Sequence, residues 1–277
     1  MNDLIVNLHL LEQCNFRCLH CFSHFGSPDP LGFSGWKKIV SNILESNCVR
    51  RVNLAGGEPL LLPWIWELAD YIRQNGAEVS IITNGSLLRN NMLQAKRISM
   101  IGISIDSFNT ETLTKMGRCT EKGMPLSGEQ YRRLCALVKN RGIDLKINTV
   151  VTKLNLEDSF SILKEIMPIR WKILRMQTFK TENFSNSHLA VSDEEFAAFC
   201  KRQDALGIPF VPENTMRNTY IFIDPLGRLI NNAGGKYASL GNLLEENFLQ
   251  CFERLPLDKE SYENRYKNFE GTQRSVI

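Results

Sequence analysis

The chain has 277 residues, which suits one α/β domain of the larger kind or two small ones. Apolar residues make up 43% and charged residues 23%, a balance that excludes long-range disorder and fibrous repeats. The net charge of +3 is too slight for a general nucleic-acid or membrane surface, so any basic site must be local.

No apolar run approaches the roughly 18 residues of a membrane span, and Met1-Asn2-Asp3-Leu4 carries no export signal. A soluble cytoplasmic enzyme that binds neither nucleic acid nor membrane is the expectation. In chain order the pattern predicts a strand over Leu4–Leu11 and a helix over Lys37–Glu45 capped by Ser34. A strand over Arg51–Ala55 runs into Gly56-Gly57-Glu58-Pro59, followed by a helix over Trp64–Gln74 and a strand over Glu78–Thr83. A helix over Leu87–Ala95, a strand over Met100–Asp106, a helix over Ser127–Asn140 and a strand over Asp144–Val151 come next. A helix over Leu156–Ile166 and a strand over Trp171–Gln177 complete six β/α units. Alternation of this kind is the mark of a parallel sheet. A closed eight-fold barrel takes about 250 residues, so six units predict a partial (β/α)6 barrel over residues 1–180. Residues 181–277 read as an extension of the same globular unit, with a helix over Val191–Leu206, a hairpin around Asp224-Pro225-Leu226-Gly227 and a short helix over Phe248–Arg254. The last ~20 residues read as a mobile tail or a cap.

Of the eight cysteines, three crowd into Cys14-x3-Cys18-x2-Cys21 and the other five are scattered. A disulfide framework would spread its pairs along a shorter chain. Structural zinc wants four donors, usually as two separated pairs; His20 or His24 could add a fourth, but no second Cys/His pair follows. Three thiolates suit a four-iron cluster with one iron left open.

Strand alternation supplies a second clue. Leu145, Ile147 and Val151 share one face, which leaves Lys146 and Asn148 on the other. Ile169, Trp171 and Ile173 oppose Arg170 and Lys172, and Val52 and Leu54 oppose Arg51, Asn53 and Ala55. Four cations facing one low-dielectric cavity repel one another unless something compensates them. Either acidic side chains pair with them, or they lie at exposed strand ends, or they grip a polyanion such as a triphosphate.

The cysteine run, with Phe22 after it, resembles the cluster motif of the radical S-adenosylmethionine (SAM) superfamily, and Gly56-Gly57-Glu58-Pro59 resembles that superfamily's loop for the methionine amino group. Within it the chain is similar to the viperin family of nucleotide dehydratases, most of all to prokaryotic viperins. Gln13-Cys14-Asn15, Thr83-Asn84-Gly85-Ser86-Leu87, Ser104-Ile105-Asp106-Ser107-Phe108, Lys146-Ile147-Asn148-Thr149-Val150, Ile169-Arg170-Trp171-Lys172, Val211-Pro212-Glu213-Asn214 and Thr219-Tyr220-Ile221 carry that likeness. The resemblance implies that Cys14, Cys18 and Cys21 ligate a [4Fe-4S] cluster and that Gly57, Glu58, Asn84, Ser104 and Arg118 hold SAM. It places Arg51, Asn53, Lys146, Asn148, Arg170, Lys172 and Arg265 at the substrate, and Tyr220 where a tyrosine supplies hydrogen late in the reaction. The implied reaction is dehydration of CTP, UTP or GTP to the 3′-deoxy-3′,4′-didehydro analogue, an antiviral chain terminator. It begins with hydrogen abstraction from C4′, with a water or Lys146 as the candidate proton donor for the departing hydroxide. A flavodoxin- or ferredoxin-like electron donor and a monomeric protein are implied with it. A radical SAM peptide-maturation enzyme is the rival, although only Cys200 and Cys251 follow residue 135, too few for extra clusters. Ala55 and Asn232 stand where animal viperins have Ser and Cys, Arg51 where they have Lys, and the chain stops at Ile277 without their terminal Trp.

Overall fold

The computed structural model describes residues 3–27, 29–179 and 182–267. Seven strands run parallel to their neighbours in chain order: β1 (Leu4–His9), β2 (Val49–Ala55), β3 (Glu78–Thr83), β4 (Met100–Ser104), β5 (Asp144–Val151), β6 (Arg170–Arg175) and β7 (Phe210–Glu213). β8 (Ile221–Ile223) returns to lie parallel to β1, and β9 (Arg228–Asn231) and β10 (Ala238–Asn242) extend the sheet antiparallel. The order is β10-β9-β8-β1-β2-β3-β4-β5-β6-β7. Closure would need β7 to pair with β8, but β9 already occupies the other edge of β8. The barrel is therefore partial and open, and the strands after residue 181 extend the same sheet at both ends.

The helices are α1 (Phe33–Glu45), α2 (Ile65–Gln74), α3 (Thr110–Lys115), α4 (Gly128–Asn140), α5 (Leu163–Ile166), α6 (Asp193–Asp204), α7 (Phe248–Glu253) and α8 (Lys259–Lys267). The outer sheet face packs under them: Val52, Leu54, Leu145, Ile147, Trp171 and Ile173 are all buried. Two capping boxes fix helix starts, Ser127 with Gln130 before α4 and Ser192 with Glu195 before α6.

Four sequence expectations are corrected. Helix α1 starts at Phe33 behind Gly32, with no side-chain cap, so Ser34 lies inside it. The helix expected over Leu87–Ala95 is a single 3-10 turn, Asn90–Met92, whose Asn90 Oδ1 accepts from Arg141 Nε and Nη2 at 2.9 and 2.6 Å. Adjacent asparagines favour such local and tertiary bonds over a helix interior. The helix expected over Leu156–Ile166 survives only as α5, because Asp158 turns to accept from the Ser107 and Thr112 hydroxyls. Ile169 is exposed, ahead of β6, rather than packed with Trp171. The expected tail contributes α8; residues 268–277, with the Ile277 terminus, lie outside the described residues.

α8 closes the floor at the N-terminal ends of the strands. Ile5 N donates to Tyr262 Oη at 2.6 Å, in a buried setting. A Tyr262→Phe substitution leaves that amide without a partner and is expected to cost about 1–3 kcal/mol. A lowered urea midpoint at unchanged m-value is the check; an unchanged midpoint would show that α8 contributes nothing there.

Candidate active site

The segment from Leu10 to Ser27 leaves β1 at the C-terminal end of the sheet and carries Cys14, Cys18 and Cys21. It is clamped between two glycine turns. Gly57 N donates to Leu11 O at 2.7 Å and Glu58 N to Gln13 O at 3.0 Å, and a Cβ on Gly57 would collide with the Glu12 and Gln13 carbonyl oxygens. On the opposite side Arg17 N donates to Gly117 O at 3.2 Å and Leu19 N to Met116 O at 3.0 Å, and a Cβ on Gly117 would collide with Arg17 O. Only glycine permits such backbone approach, and Gly117 also has φ +69°.

Polar side chains continue the clamp. Glu58 is fully buried, and its carboxylate accepts from Thr83 Oγ1, Asn84 N and Leu60 N at 2.7, 2.8 and 3.1 Å. Burial pushes its pKa up. Asn84 Nδ2 donates to Asn15 Oδ1 at 2.9 Å and to Cys14 Sγ at 3.8 Å. Glu12 accepts from Phe25 N and Ser27 N at 2.7 and 2.8 Å, fixing the chain beyond Cys21.

Beneath the loop, the Asp106 carboxylate pairs with Arg118 and lies 3.0 Å from His20 Nε2. Burial alone would raise its pKa, but Arg118 and then His20 outweigh burial and hold it at about 2. Burial pushes the Cys18 thiol up to about 12 and the Cys21 thiol to about 11, and raises Cys14 as well. These thiols stay protonated until a metal takes the proton's place. All three are free of disulfides. A zinc knuckle would need four donors around one point; the loop supplies three thiols, and the His20 ring lies against Asp106.

One cavity of about 400 Å³ joins this loop to the inward faces of β5 and β6, within the usual range for a small-molecule site. Cys14, Cys18, Cys21, Gly57, Asn84, Ser104 and Arg118 line one part; Lys146, Asn148, Lys172 and Tyr220 line another. Gly102 stands opposite Lys146 in register, so the lysine side chain lies over a residue without one. Among the described residues Lys146 has no hydrogen-bond or ion-pair partner, and Asn148 Oδ1 is buried without one. Burial, reinforced by Arg170, pushes Lys146 down to about 7.

The other expected cations are compensated by acidic side chains or backbone. Lys172 pairs with Glu213, and its Nζ donates to Tyr220 Oη at 2.9 Å. Arg265 lies 2.8 Å from Glu213 and 3.7 Å from the Tyr220 ring centroid. The Tyr220 hydroxyl donates to Glu213, and burial raises its pKa well above the ordinary value. Burial would raise Glu213 too, but Lys172 and Arg265 hold it at about 2. Arg170 Nη2 donates to Arg265 O at 2.6 Å. Arg51 pairs with Glu78, and Asn53 bonds Asn7 and Ser80 at 2.9 and 2.6 Å. Arg51, Asn53, Glu58, Arg170 and Arg265 do not line the cavity.

Sequence reasoning missed Glu213, His9 and Asn7. Glu213 stood in a stretch already singled out, and β-alternation from Val211 would have put it inward. His9 and Asn7 face inward on β1 and line the cavity, and alternation with the buried Val6 and Leu8 could have marked them. Asn232, in the hairpin, accepts from Asn218 N at 2.8 Å and donates to Met216 O at 3.0 Å, a packing role.

The Radical SAM superfamily matches residues 9–166. An S-adenosylmethionine-dependent nucleotide dehydratase from Selenomonas ruminantium is 37% identical over 94% of this chain and 98% of its own length. A second protein of that name, from Flammeovirga pacifica, is 34% identical over 95% of each. Native anSMEcpe with bound AdoMet superposes with a TM-score of 0.67 at 17% identity, over 91% of this chain and 80% of that one, a likeness of fold.

Replacing Gly57 with Ala drives a methyl group into the Gln13 carbonyl, and overpacking of this kind costs about 1–3 kcal/mol. The expected outcome is loss of much of the iron bound after anaerobic reconstitution, with far-ultraviolet dichroism unchanged. Full iron content in the variant would mean that the loop tolerates the displacement.

Proposed function

The chain belongs to the radical SAM superfamily and, within it, to the S-adenosylmethionine-dependent nucleotide dehydratases; from that premise we propose that it dehydrates a ribonucleoside triphosphate (CTP, UTP or GTP). The product is the 3′-deoxy-3′,4′-didehydro analogue, a chain terminator directed against phage. The observation that carries this reading is the cavity shared by the three cysteines and Lys146, which has no partner among the described residues.

The enzyme's cofactors are a [4Fe-4S] cluster and SAM, which when bound supply a 5′-deoxyadenosyl radical after one-electron reduction. Cys14, Cys18 and Cys21 hold the cluster. The Gly56-Gly57 backbone, with Asn84, Ser104 and Arg118, forms the wall for SAM. Glu58 acts one step back, tying Gly57 to the end of β3 through Thr83 and Asn84. Lys146 and Asn148 receive the triphosphate and ribose, which puts the sugar toward the sulfur end where C4′ must lose hydrogen. Fixed placement matters because ångström errors at the reacting centre are costly. Protonated Lys146, or a water, is a candidate donor for the hydroxide that leaves C3′. Tyr220 keeps a neutral O–H beside Lys172 and Glu213, suited to giving hydrogen late in the reaction. A flavodoxin- or ferredoxin-like carrier delivers the electron, and the protein acts as a cytoplasmic monomer. No helix among the described residues is long and apolar enough to cross a membrane.

Reconstituted enzyme with dithionite, SAM and each nucleoside triphosphate should form 5′-deoxyadenosine and a nucleotide lighter by one water. If no triphosphate raises 5′-deoxyadenosine above the level without nucleotide, the substrate class is wrong. Lys146 gives a second test. A bound polyanion raises the lysine's pKa above its value of about 7 in the free protein, so binding takes up a proton above that pH. Affinity is expected to fall by up to about tenfold per pH unit from pH 7 upward. Lys146→Ala should weaken nucleotide binding by about tenfold or more and flatten this dependence. A buffer-independent binding enthalpy at pH 8 in the unsubstituted protein would contradict the assignment.

A further inference from the structure

Glu213 is the last residue of β7, the strand that ends the sheet. Its carboxylate is buried and meets three different elements: Lys172 on β6, Tyr220 just before β8, and Arg265 on α8. Arg265 is held a second time by Thr219 Oγ1 at 2.6 Å, and its guanidinium stacks on Tyr220. Two cations are thus committed to one carboxylate, while Lys146, on β5, is committed to nothing among the described residues.

We infer that Glu213 is the positioning residue of the phosphate end: it locks Lys172, Tyr220 and Arg265 into one unit and so leaves Lys146 as the cation that meets the phosphates. The inference rests on the triphosphate reading above and divides the labour among cations that the sequence placed together. Lys172, in the cavity wall, and Arg265, behind it, compensate Glu213, and their charge reaches a phosphate only in part. Lys146 is faced by Arg51 on β2, by Arg170 and Lys172 on β6, by Glu213 on β7 and by Arg265 on α8. Glu213 is the only anion among these, and it favours the charged lysine while Arg170, Arg51 and Arg265 oppose it; repulsion between Lys146 and Lys172 weighs on Lys172.

The test compares SAM-loaded, unreduced holoenzyme with its Glu213→Gln variant, titrated with CTP and with inorganic tripolyphosphate from pH 6 to pH 9. Removing the carboxylate frees Lys172, which lines the cavity, and tripolyphosphate can supply the negative charge that Glu213 gave it, so at pH 6 the polyanion should bind the variant about tenfold more tightly. The pH above which affinity declines should fall by about one unit. A purely structural bridge predicts neither, only weaker binding at every pH. Glu213→Asp keeps the charge and shortens the reach: it should hold the wild-type pH midpoint and KM, while kcat falls because Tyr220 loses its acceptor. A Gln variant with the wild-type midpoint, or an Asp variant with wild-type kcat, overturns the inference. Failure of the unsubstituted enzyme to bind either CTP or tripolyphosphate overturns the triphosphate reading itself, and the inference with it.

Discussion

The site depends on how closely three backbone segments approach one another around the cysteine loop. Gly57 on one side and Gly117 on the other leave no room for a β-carbon against the carbonyls of Gln13 and Arg17. Three cysteines spread over eight residues have no secondary structure of their own to hold them. Their placement is instead imposed by the ends of β2 and α3, which the sheet and helix packing make rigid. Glu58 and Asn84 extend the same constraint to the end of β3, so the loop is referenced to three successive β/α units.

Two opposite electrostatic problems are solved within one cavity. At the sulfur end, burial disfavours thiolate, and the stabilising charge of Arg118 is already shared with Asp106. Burial there favours the neutral thiol. At the other end, burial disfavours ammonium, and the answer is a single carboxylate, Glu213, placed among the cations. It satisfies two of them and leaves one lysine, beside the Asn148 amide oxygen, without a partner among the described residues. An end poised in this way gains most from a ligand bringing several negative charges at once.

Much of this was legible in the residues. Period-two alternation placed Lys146, Asn148 and Lys172 on the inward face correctly, because one face of each strand must be apolar to pack under helices. The cysteine spacing and the glycine pair named the sulfur end. What alternation does not report is the partner of an inward charge. Arg51 and Lys172 read alike in sequence, yet Glu78 and Glu213 claim them through strand register and through a strand, β7, whose four residues carry a proline. Arg265 lies on a helix with little amphipathic pattern, and its place is set by contacts with β7 and Tyr220 far away in sequence. The helices expected around Asn90 and Asp158 fail for a related reason: their polar side chains find tertiary partners that outcompete local propensity.

The open barrel follows from the same economy of edges. β8 returns parallel to β1 and brings Tyr220 to the cavity at its leading end, but three residues make a weak edge on their own. The turn at Asp224–Gly227 folds β9 onto that edge: Asp224 accepts from Leu226 N, Arg228 N and Arg228 Nε at 3.0, 2.9 and 2.6 Å, and Gly227 takes φ +81°. Once β9 is in place, β7 cannot reach β8, and the seam between them has to be bridged by side chains. Glu213 on one lip, Tyr220 on the other and Arg265 from α8 supply that bridge. A gap that backbone hydrogen bonds would have sealed is held by ionisable groups instead, and this puts the Tyr220 hydroxyl and Lys172, which line the cavity, within bonding distance of a carboxylate and a second cation, Glu213 and Arg265, that lie behind its wall.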